Sequence, residues 1–196
     1  MKRSCGAKTL AVPAPVWVVC SYDQEGRANA MTASWAGICC SRPPELAVAL
    51  REATYSHGNI KRRGAFTVCI PSEEHMKEAD YLGLESGRDQ DKLAAAGLTA
   101  QPAAQVDAPF VQEFPVVIEC RLAHTFELGL HTLFVGEILD VRAEEEVLGG
   151  KGYPTVERVR PLLFDPGEQR YYGTGRFLAE AFSIGKKDLA KGGRGS

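Results

Sequence analysis

The sequence of 196 residues lacks most of the patterns that identify metal, nucleotide and hydrolytic sites. Its cysteines form no C-x-x-C pair, and neither thiols nor imidazoles cluster with the spacing that zinc ligation requires. No G-x-G-x-x-G follows a strand pattern and no G-x-x-x-x-G-K-[ST] loop occurs, which excludes the Rossmann and P-loop devices. Spacing supports no Ser-His-Asp or Cys-His arrangement, so we predict no metal site and no catalytic side chain.

Charge bias and long apolar runs are absent as well. The 23 basic and 25 acidic residues nearly cancel, so there is no general attraction to nucleic acid or to anionic membranes. No apolar stretch approaches the roughly 20 residues of a membrane span. Lys8, Pro13 and Pro15 interrupt the apolar stretch that a signal peptide would need. We expect a soluble, cytoplasmic protein without nucleic-acid or membrane partners.

The six cysteines are widely spaced except for one adjacent pair, and most have apolar neighbours. We predict buried free thiols in a reducing compartment. A redox pair at Cys39-Cys40 remains the alternative. The cysteines are Cys5, Cys20, Cys39, Cys40, Cys69 and Cys120.

Short runs rich in Val, Ile, Phe, Thr and Trp predict a mainly β protein with flanking helices, in a single domain over residues 1–196. Links of hairpin length, residues 23–26 and 127–129, favour an antiparallel barrel or sandwich over a parallel sheet. Helices are predicted at 54–63, 72–84 and 90–96, a connecting loop at 99–109, and a frayed tail at 185–196. The predicted strands are Val16–Tyr22, Asn29–Trp35, Leu46–Arg51, Phe66–Pro71, Val116–Phe126 and Thr132–Val141.

Two segments together suggest a cradle for a planar ring and a phosphate. Ala30, Thr32, Ala33 and Ser34 are small enough for a ring to approach the backbone, and Trp35 could form an aromatic wall. An ordinary strand with small residues is the alternative.

The second segment pairs a cation at a strand end with hydroxyls at a helix start. Arg51 precedes Thr54 and Ser56, a combination that suits a phosphate monoester. A solvated Arg51 and a Thr54 that merely caps the helix remain the alternative. Flavin mononucleotide (FMN) combines the ring and the phosphate that these two segments would hold.

An ordered series of motifs over about residues 10–178 resembles the flavin reductase-like family, and within it the flavoredoxin branch. The motifs are Asn29-Ala-Met-Thr-Ala-Ser-Trp35, Arg42-Pro43-Pro44, Leu46–Arg51, Tyr55–Ile60, Phe66–Pro71, Asp91-Lys92-Leu93, Gly97-Leu98, His131–Glu137, Pro161–Phe164 and Tyr171-Tyr172.

This resemblance implies an FMN-binding split barrel, an antiparallel Greek-key barrel with flanking helices, in a homodimer with the flavin near the subunit interface. Asn29 and the backbone of Met31–Ser34 would line the polar edge of the ring, with Trp35 beside it. Arg51, Ser56 and Asn59 would hold the phosphate and ribityl end. The residues that would close the site are Lys92, His131 and Phe164, with Lys92 near the pyrimidine edge of the ring.

Without the resemblance, the last three residues have simpler explanations. Lys92 would be a solvated charge, His131 would satisfy a backbone group, and Phe164 would belong to the core. With it, two functional classes stay open. One is an NAD(P)H-dependent flavin reductase, and the other is an electron carrier that receives electrons from a redox protein and does not turn over pyridine nucleotide.

Overall fold

A computed structural model describes residues 1–184, and the tail predicted at 185–196 lies outside this range. The strands are β1 (Ala14–Pro15), β2 (Trp17–Tyr22), β3 (Ala28–Ala33), β4 (Ala36–Ser41), β5 (Pro44–Arg51), β6 (Ala65–Ile70), β7 (Ala100–Pro102), β8 (Pro109–Val111), β9 (Val116–Leu128), β10 (His131–Ala143), β11 (Leu163–Asp165) and β12 (Arg170–Tyr172). The helices are α1 (Tyr55–Arg63), α2 (Met76–Leu84), α3 (Lys92–Ala95) and α4 (Val156–Val159), with 3-10 turns at Glu73–His75 and Glu145–Val147.

The main sheet has seven strands in the order β3-β2-β6-β9-β10-β5-β4, and all of its pairings are antiparallel. Its two edge strands, β3 and β4, are separated in the chain only by Ser34 and Trp35, so the sheet curls until its edges meet. At this seam the backbone N–H of Ala49 in β5 donates to the carbonyl of Trp35, which extends the β4–β5 pairing into the link between the two edge strands. The result is an antiparallel barrel, as the hairpin-length links predict.

The connection order is not a simple meander. Strands β5 and β6 are joined through α1, but the β9–β10 hairpin lies between them in the sheet. Such a return across neighbouring strands is the Greek-key manner of connection. It brings the start of α1 beside β3, as the hydrogen bond between Asn29 and Ser56 shows.

Two apolar layers hold this arrangement together. The barrel interior contains Val19, Leu46, Phe66, Val68 and Phe134, each fully buried, and the side chain of Ile60 from α1 joins them. A second layer on the outer face of β2 and β3 packs against α2 and α3. It is built from Val18, Cys20, Ala30, Cys69, Leu82, Leu93, Leu98, Val111, Phe114 and Val117.

Helix α1 ends where predicted because Gly64 adopts the left-handed conformation, with φ of 64°, and its N–H donates to the carbonyl of Ile60. The helix predicted at 72–84 is a 3-10 turn followed by α2. The helix predicted at 90–96 covers only Lys92–Ala95.

Three other predictions need correction. Ala36–Ser41 was not predicted as a strand, because Gly37 and the cysteine pair hide its β character, yet it forms the edge strand β4. The loop predicted at 99–109 contains β7 and the start of β8, which pair with each other. In the link predicted at 127–129, Glu127 and Leu128 still belong to β9.

The burial predicted for the cysteines holds for half of them. Cys20, Cys69 and Cys120 are buried, whereas Cys5 and Cys39 are exposed and Cys40 is half-buried. Strand β4 is an edge strand with little packed on it, and this explains the exposure of Cys39. Within residues 1–184 no helix is long and apolar enough to cross a membrane.

Candidate functional site

Two adjoining cavities lie between β3, the start of α1 and the segment that links α2 to α3. Cavity A has a volume of about 230 Å³ and extends toward Met31 and Leu82. Cavity B has a volume of about 420 Å³ and extends toward Arg27 and Leu98. Five residues line both cavities and form their junction: Asn29, Tyr55, Gly87, Arg88 and Lys92.

Asn29 is buried at this junction with one of its polar atoms unsatisfied. Its Nδ2 donates to Ser56 Oγ at 2.8 Å, which ties β3 to the first turn of α1. Its Oδ1 has no hydrogen-bond partner among the described residues. A Cβ at Gly87 would lie 2.0 Å from this oxygen, so only glycine allows the backbone to pass here. A buried acceptor without a donor costs free energy, which a ligand hydroxyl would recover.

Lys92 places a buried cation on the same two cavities. The residue is 5% exposed, and its Nζ donates to the carbonyls of Leu82 and Glu85, each at 2.9 Å. An ammonium has three donors, so one remains for a ligand. Burial lowers the pKa of Lys92 from 10.5 to about 8, and the nearby Glu85 carboxylate only partly opposes this shift. An anion in either cavity would therefore find a poorly compensated positive charge.

Arg88 and Tyr55 complete the junction, and the sequence interpretation missed both. Arg88 Nη1 donates to the carbonyl of Ala53 at 2.7 Å, and its guanidinium lies 5.4 Å from the centre of the Tyr55 ring. The only available signal was the Ser-Gly-Arg run that shortly precedes Asp91-Lys92.

The Tyr55 hydroxyl donates to Asp23 Oδ2 at 2.9 Å, and Arg27 Nε donates to the same oxygen at 2.7 Å. Burial opposes ionisation of Asp23, but hydrogen bonds from Arg27 and Tyr55 outweigh it and lower the pKa of this carboxyl. An ionised Asp23 therefore holds Tyr55 and Arg27 in place.

The small side chains of β3 have packing contacts on both faces of the strand. Ala30 and Ala33 are buried in the two apolar layers on opposite faces of the strand. Thr32 Oγ1 donates to the carbonyl of Ala79 in α2, and Ser34 is half-buried at the seam. On β3, Asn29 and Met31 line cavity A, and Asn29 and Ala30 line cavity B together with the half-buried Ala28.

Trp35, His131 and Arg51 form a second group at the seam of the barrel. The Trp35 and His131 rings have centroids 4.6 Å apart with an interplanar angle of 38°. His131 lies opposite Arg51 in the pairing of β10 with β5. Arg51 is exposed and has no ion pair within residues 1–184. Thr54 Oγ1 donates to the carbonyl of Arg51 instead of capping α1, which links this group to cavity A.

The structure does not bring Asn59 or Phe164 to these cavities. Asn59 is 1% exposed and lines neither of them, although its Nδ2 has no partner among the described residues. Phe164 lies in β11, and its ring centroid is 5.5 Å from that of Tyr171. It lines a separate cavity of about 270 Å³ together with Val12 and Pro13. Within one chain, Asn59 therefore does not line the cavity that contains Ser56, and Phe164 does not lie beside Lys92.

Comparison with known proteins identifies the family. The model of the flavin reductase-like domain matches residues 9–173. The chain belongs to the flavin reductase-like domain family. A flavoredoxin of Desulfovibrio vulgaris (Miyazaki F) has a TM-score of 0.91 and 51% sequence identity, and the alignment covers 95% of this chain and 100% of that one. A flavoredoxin from Methanosarcina acetivorans has a TM-score of 0.89 and 28% identity, with 95% and 99% covered.

A curated relative of this flavin reductase-like chain is a ferric-chelate reductase (NAD(P)H) of Archaeoglobus fulgidus, 27% identical over 143 residues, which cover 71% of this chain and 83% of that protein. The two flavoredoxin structures confirm the predicted branch of the family. A solved structure from Shewanella frigidimarina, described as a putative flavin reductase with a split barrel domain, shares the fold with a TM-score of 0.79. The split barrel and the mainly β fold class are therefore confirmed.

Proposed function

We propose that this protein binds FMN and works as an oxidoreductase of the flavin reductase or flavoredoxin type. The observation that carries the proposal is the junction of cavities A and B. A buried ammonium, a guanidinium and an unsatisfied amide oxygen line this junction, and a serine hydroxyl lines cavity A beside it. A phosphorylated polyol offers an anion for the cations and hydroxyl donors for the amide oxygen. The residues are Lys92, Arg88, Ser56 and Asn29.

In this assignment Lys92 holds the phosphate rather than the pyrimidine edge of the ring. Lys92 lines the same cavity as Ser56, which supports assigning both side chains to the phosphate end of the ligand. Asn29 Oδ1 then accepts from a ribityl hydroxyl. Arg51 lies on the seam beside Thr54 and contributes positive charge without being buried.

The ring would lie toward the seam, where β3 is an edge strand. Within residues 1–184, its backbone groups on the side away from β2 have no strand partner, and such groups can bind the polar edge of a flavin. Trp35 and His131 stand at the end of this edge, and Trp35 is 45% exposed. When bound, FMN supplies the redox chemistry, because a flavin accepts a hydride as two electrons and releases electrons singly.

Flavin binding can be tested by the visible spectrum of the stripped protein during titration with FMN. We expect saturable bands near about 370 and 450 nm, as in flavoproteins generally. Ser56→Ala removes one phosphate donor and also the partner of Asn29 Nδ2, so affinity should fall about tenfold or more. Ser41→Ala, at an exposed position on β4, is the matched control. The proposal is refuted if the wild-type protein is colourless after incubation with micromolar FMN and removal of the free flavin.

The electron donor divides the proposal into two candidates. Similarity to a flavoredoxin at 51% identity favours a carrier that accepts electrons from a redox protein. Similarity to a ferric-chelate reductase (NAD(P)H) favours an enzyme that oxidises NAD(P)H. Anaerobic mixing with NADH or NADPH separates them. Bleaching of the bound flavin within the mixing time indicates the enzyme, and bleaching only by a reduced ferredoxin indicates the carrier.

We also propose a homodimer. Large apolar side chains are exposed on β4, on the β9–β10 hairpin and on the loop of that hairpin. A second copy that covers them would also cover the exposed Trp35 at the seam and could place its own Phe164 there. Phe126→Glu should shift the sedimentation coefficient to that of a monomer, and an unchanged dimer would exclude this face. The exposed residues are Ile38, Phe126, Leu128, Leu130 and Val141.

A further inference from the structure

The structure brings two cysteines into contact that are remote in the sequence. Cys20 in β2 and Cys69 in β6 are 49 positions apart in the chain, yet their sulfur atoms lie 3.9 Å apart. Both residues are buried, at 1% and 0% exposure. The adjacent pair Cys39-Cys40 lies instead on the edge strand β4, where Cys39 is exposed. The pair of thiols in contact is therefore not the one that sequence spacing indicates.

The register of β2 against β6 produces this contact. Cys20 lies opposite Thr67 and Cys69 lies opposite Val18, so the two cysteines are diagonal neighbours on one face of the sheet. This face belongs to the apolar layer that packs against α2 and α3. Because the two sulfur atoms already touch, a disulfide needs only rotation of the two side chains and a small approach of the strands.

The surroundings of the pair favour Cys69 as the thiolate. Burial opposes ionisation of Cys69, but hydrogen bonds from the Cys20 thiol and from the Val111 N–H outweigh it and lower the pKa of Cys69. The same hydrogen bond raises the pKa of Cys20, which keeps its proton. Lys92 is a nearby cation; burial lowers the pKa of Lys92, and Cys20 is one of the groups that oppose this shift. A thiolate beside a proton donor and a cation is the reactive form of a cysteine.

A small oxidant can approach the pair from cavity B. Ala30, Leu93 and Leu98 line cavity B and belong to the same apolar layer as the two cysteines. Ala30 lies directly opposite Cys20 in the pairing of β3 with β2. Only the wall of this cavity therefore separates the thiols from solvent, and hydrogen peroxide is barely larger than water.

We propose that Cys20 and Cys69 are an oxidation site, at which hydrogen peroxide converts the two thiols into a reversible disulfide within the folded barrel. The Cys69 thiolate attacks one peroxide oxygen, which forms a sulfenic acid and releases hydroxide. The Cys20 sulfur then attacks the Cys69 sulfur, and the sulfenic oxygen leaves as water.

The balance of this reaction is closed by the peroxide. The two thiols lose two electrons and two protons, and one peroxide molecule becomes two water molecules. A dithiol reductant restores both thiols by exchange through a mixed disulfide. Neither step needs a flavin, so the site does not depend on the proposed function.

Peptide mapping after oxidation tests the proposal. The flavin-free protein is treated with hydrogen peroxide, denatured in the presence of an alkylating reagent and digested with trypsin, which separates Cys20, Cys69 and Cys120 into different peptides. We expect a disulfide-linked pair of peptides that contain Cys20 and Cys69, and an intact mass lower by two hydrogens. Dithiothreitol should return both cysteines to the alkylated form.

Two alanine variants provide the comparison. Cys69→Ala should abolish the linked peptides. Cys120→Ala is the matched control and should retain them, because Cys120 is also buried but its Sγ contacts the carbonyl of Ile118 rather than a thiol. The oxidised wild type should unfold at a urea concentration about 1 M higher than the reduced protein, since the cross-link restricts the unfolded chain. Cys69→Ala should show no such shift.

Four results would overturn the inference. They are full alkylation of Cys20 and Cys69 after peroxide treatment, linkage of either one to a different cysteine, linkage that forms equally well in the urea-denatured protein, and a linked protein without the upward shift in urea. None of these measurements involves FMN, so they leave the test of the proposed function separate.

Discussion

The affinity of this protein for FMN should fall about tenfold between pH 7 and pH 9 because of Lys92. Its pKa of about 8 means that the free protein carries the ammonium in about nine molecules of ten at pH 7 and about one in ten at pH 9. The phosphate of FMN is already largely dianionic at pH 7, since its second pKa is about 6. If only the charged lysine binds the phosphate, the loss follows directly from these fractions.

The assay is a fluorescence titration with FMN at pH 7, 8 and 9, together with calorimetry at pH 8.5 in two buffers of different ionisation enthalpy. Binding should take up about three quarters of a proton at pH 8.5, because about that fraction of the free lysine is neutral and the phosphate recharges it. Lys92→Met should lower the affinity at pH 7 about ten- to a hundredfold and remove the pH dependence. Lys77→Met, at an exposed position on α2, is the control and should retain both.

Stability of the flavin-free protein should change with pH in the opposite direction. The folded pKa of Lys92 lies below its ordinary value of 10.5, so between about pH 8 and pH 10 the unfolded state holds more protons. The free energy of unfolding contributed by this group therefore rises with pH, and the difference between wild type and Lys92→Met isolates it. Constant FMN affinity from pH 7 to pH 9, or a Lys92→Met variant that binds like the wild type, would refute the reasoning.

Two glycine substitutions test the close approaches on which the site and the barrel depend. Gly87→Ala would place a Cβ 2.0 Å from Asn29 Oδ1, so the loop must move away from the junction. The FMN affinity of Gly87→Ala should fall at least about tenfold. The control is Gly58→Ala on α1, where a Cβ meets open space, and it should leave the affinity unchanged. Equal FMN affinities of the two variants would show that the approach of Gly87 to Asn29 does not matter for binding. Gly136→Ala would place a Cβ 2.6 Å from Phe66 Cζ inside the barrel. Denaturant unfolding should show a loss of about 1–3 kcal/mol, and an unchanged midpoint would show that the core relaxes freely.

The strands of the barrel were predictable where local chemistry is strong. Runs of β-branched residues locate β2, β6 and β10, and the polar turn at residues 23–26 locates the first hairpin. Edge strand β4 was missed because Gly37 and the adjacent cysteines carry little β propensity, and its pairing with β5 decides its conformation. Short elements such as β7 and β8 exist only through their mutual pairing, which no local pattern encodes.

Prediction of the candidate site was uneven for the same reason. Asn29, Ser56 and Lys92 were predicted, and the structure gathers them around one cavity. Arg88 and Tyr55 were missed, because hydrogen bonds to residues remote in the chain hold them at the site. Arg88 bonds to the carbonyl of Ala53, and Tyr55 bonds to Asp23. The small residues of β3 were predicted to let a ring approach the backbone, and the structure adds packing contacts for three of them: Ala30 and Thr32 contact α2, and Ala33 faces the barrel interior.

By itself, the amino-acid sequence determined the strand chemistry, the antiparallel hairpins and, through an ordered set of motifs, the family. These features depend on neighbours within about ten residues or on the order of motifs, and both are written along the chain. The tertiary structure alone decided the closure of the barrel, the lowered pKa of Lys92, and the division of the site into two cavities. Each of these arises from burial and from contacts between segments distant in the chain, and burial is a property of the folded molecule.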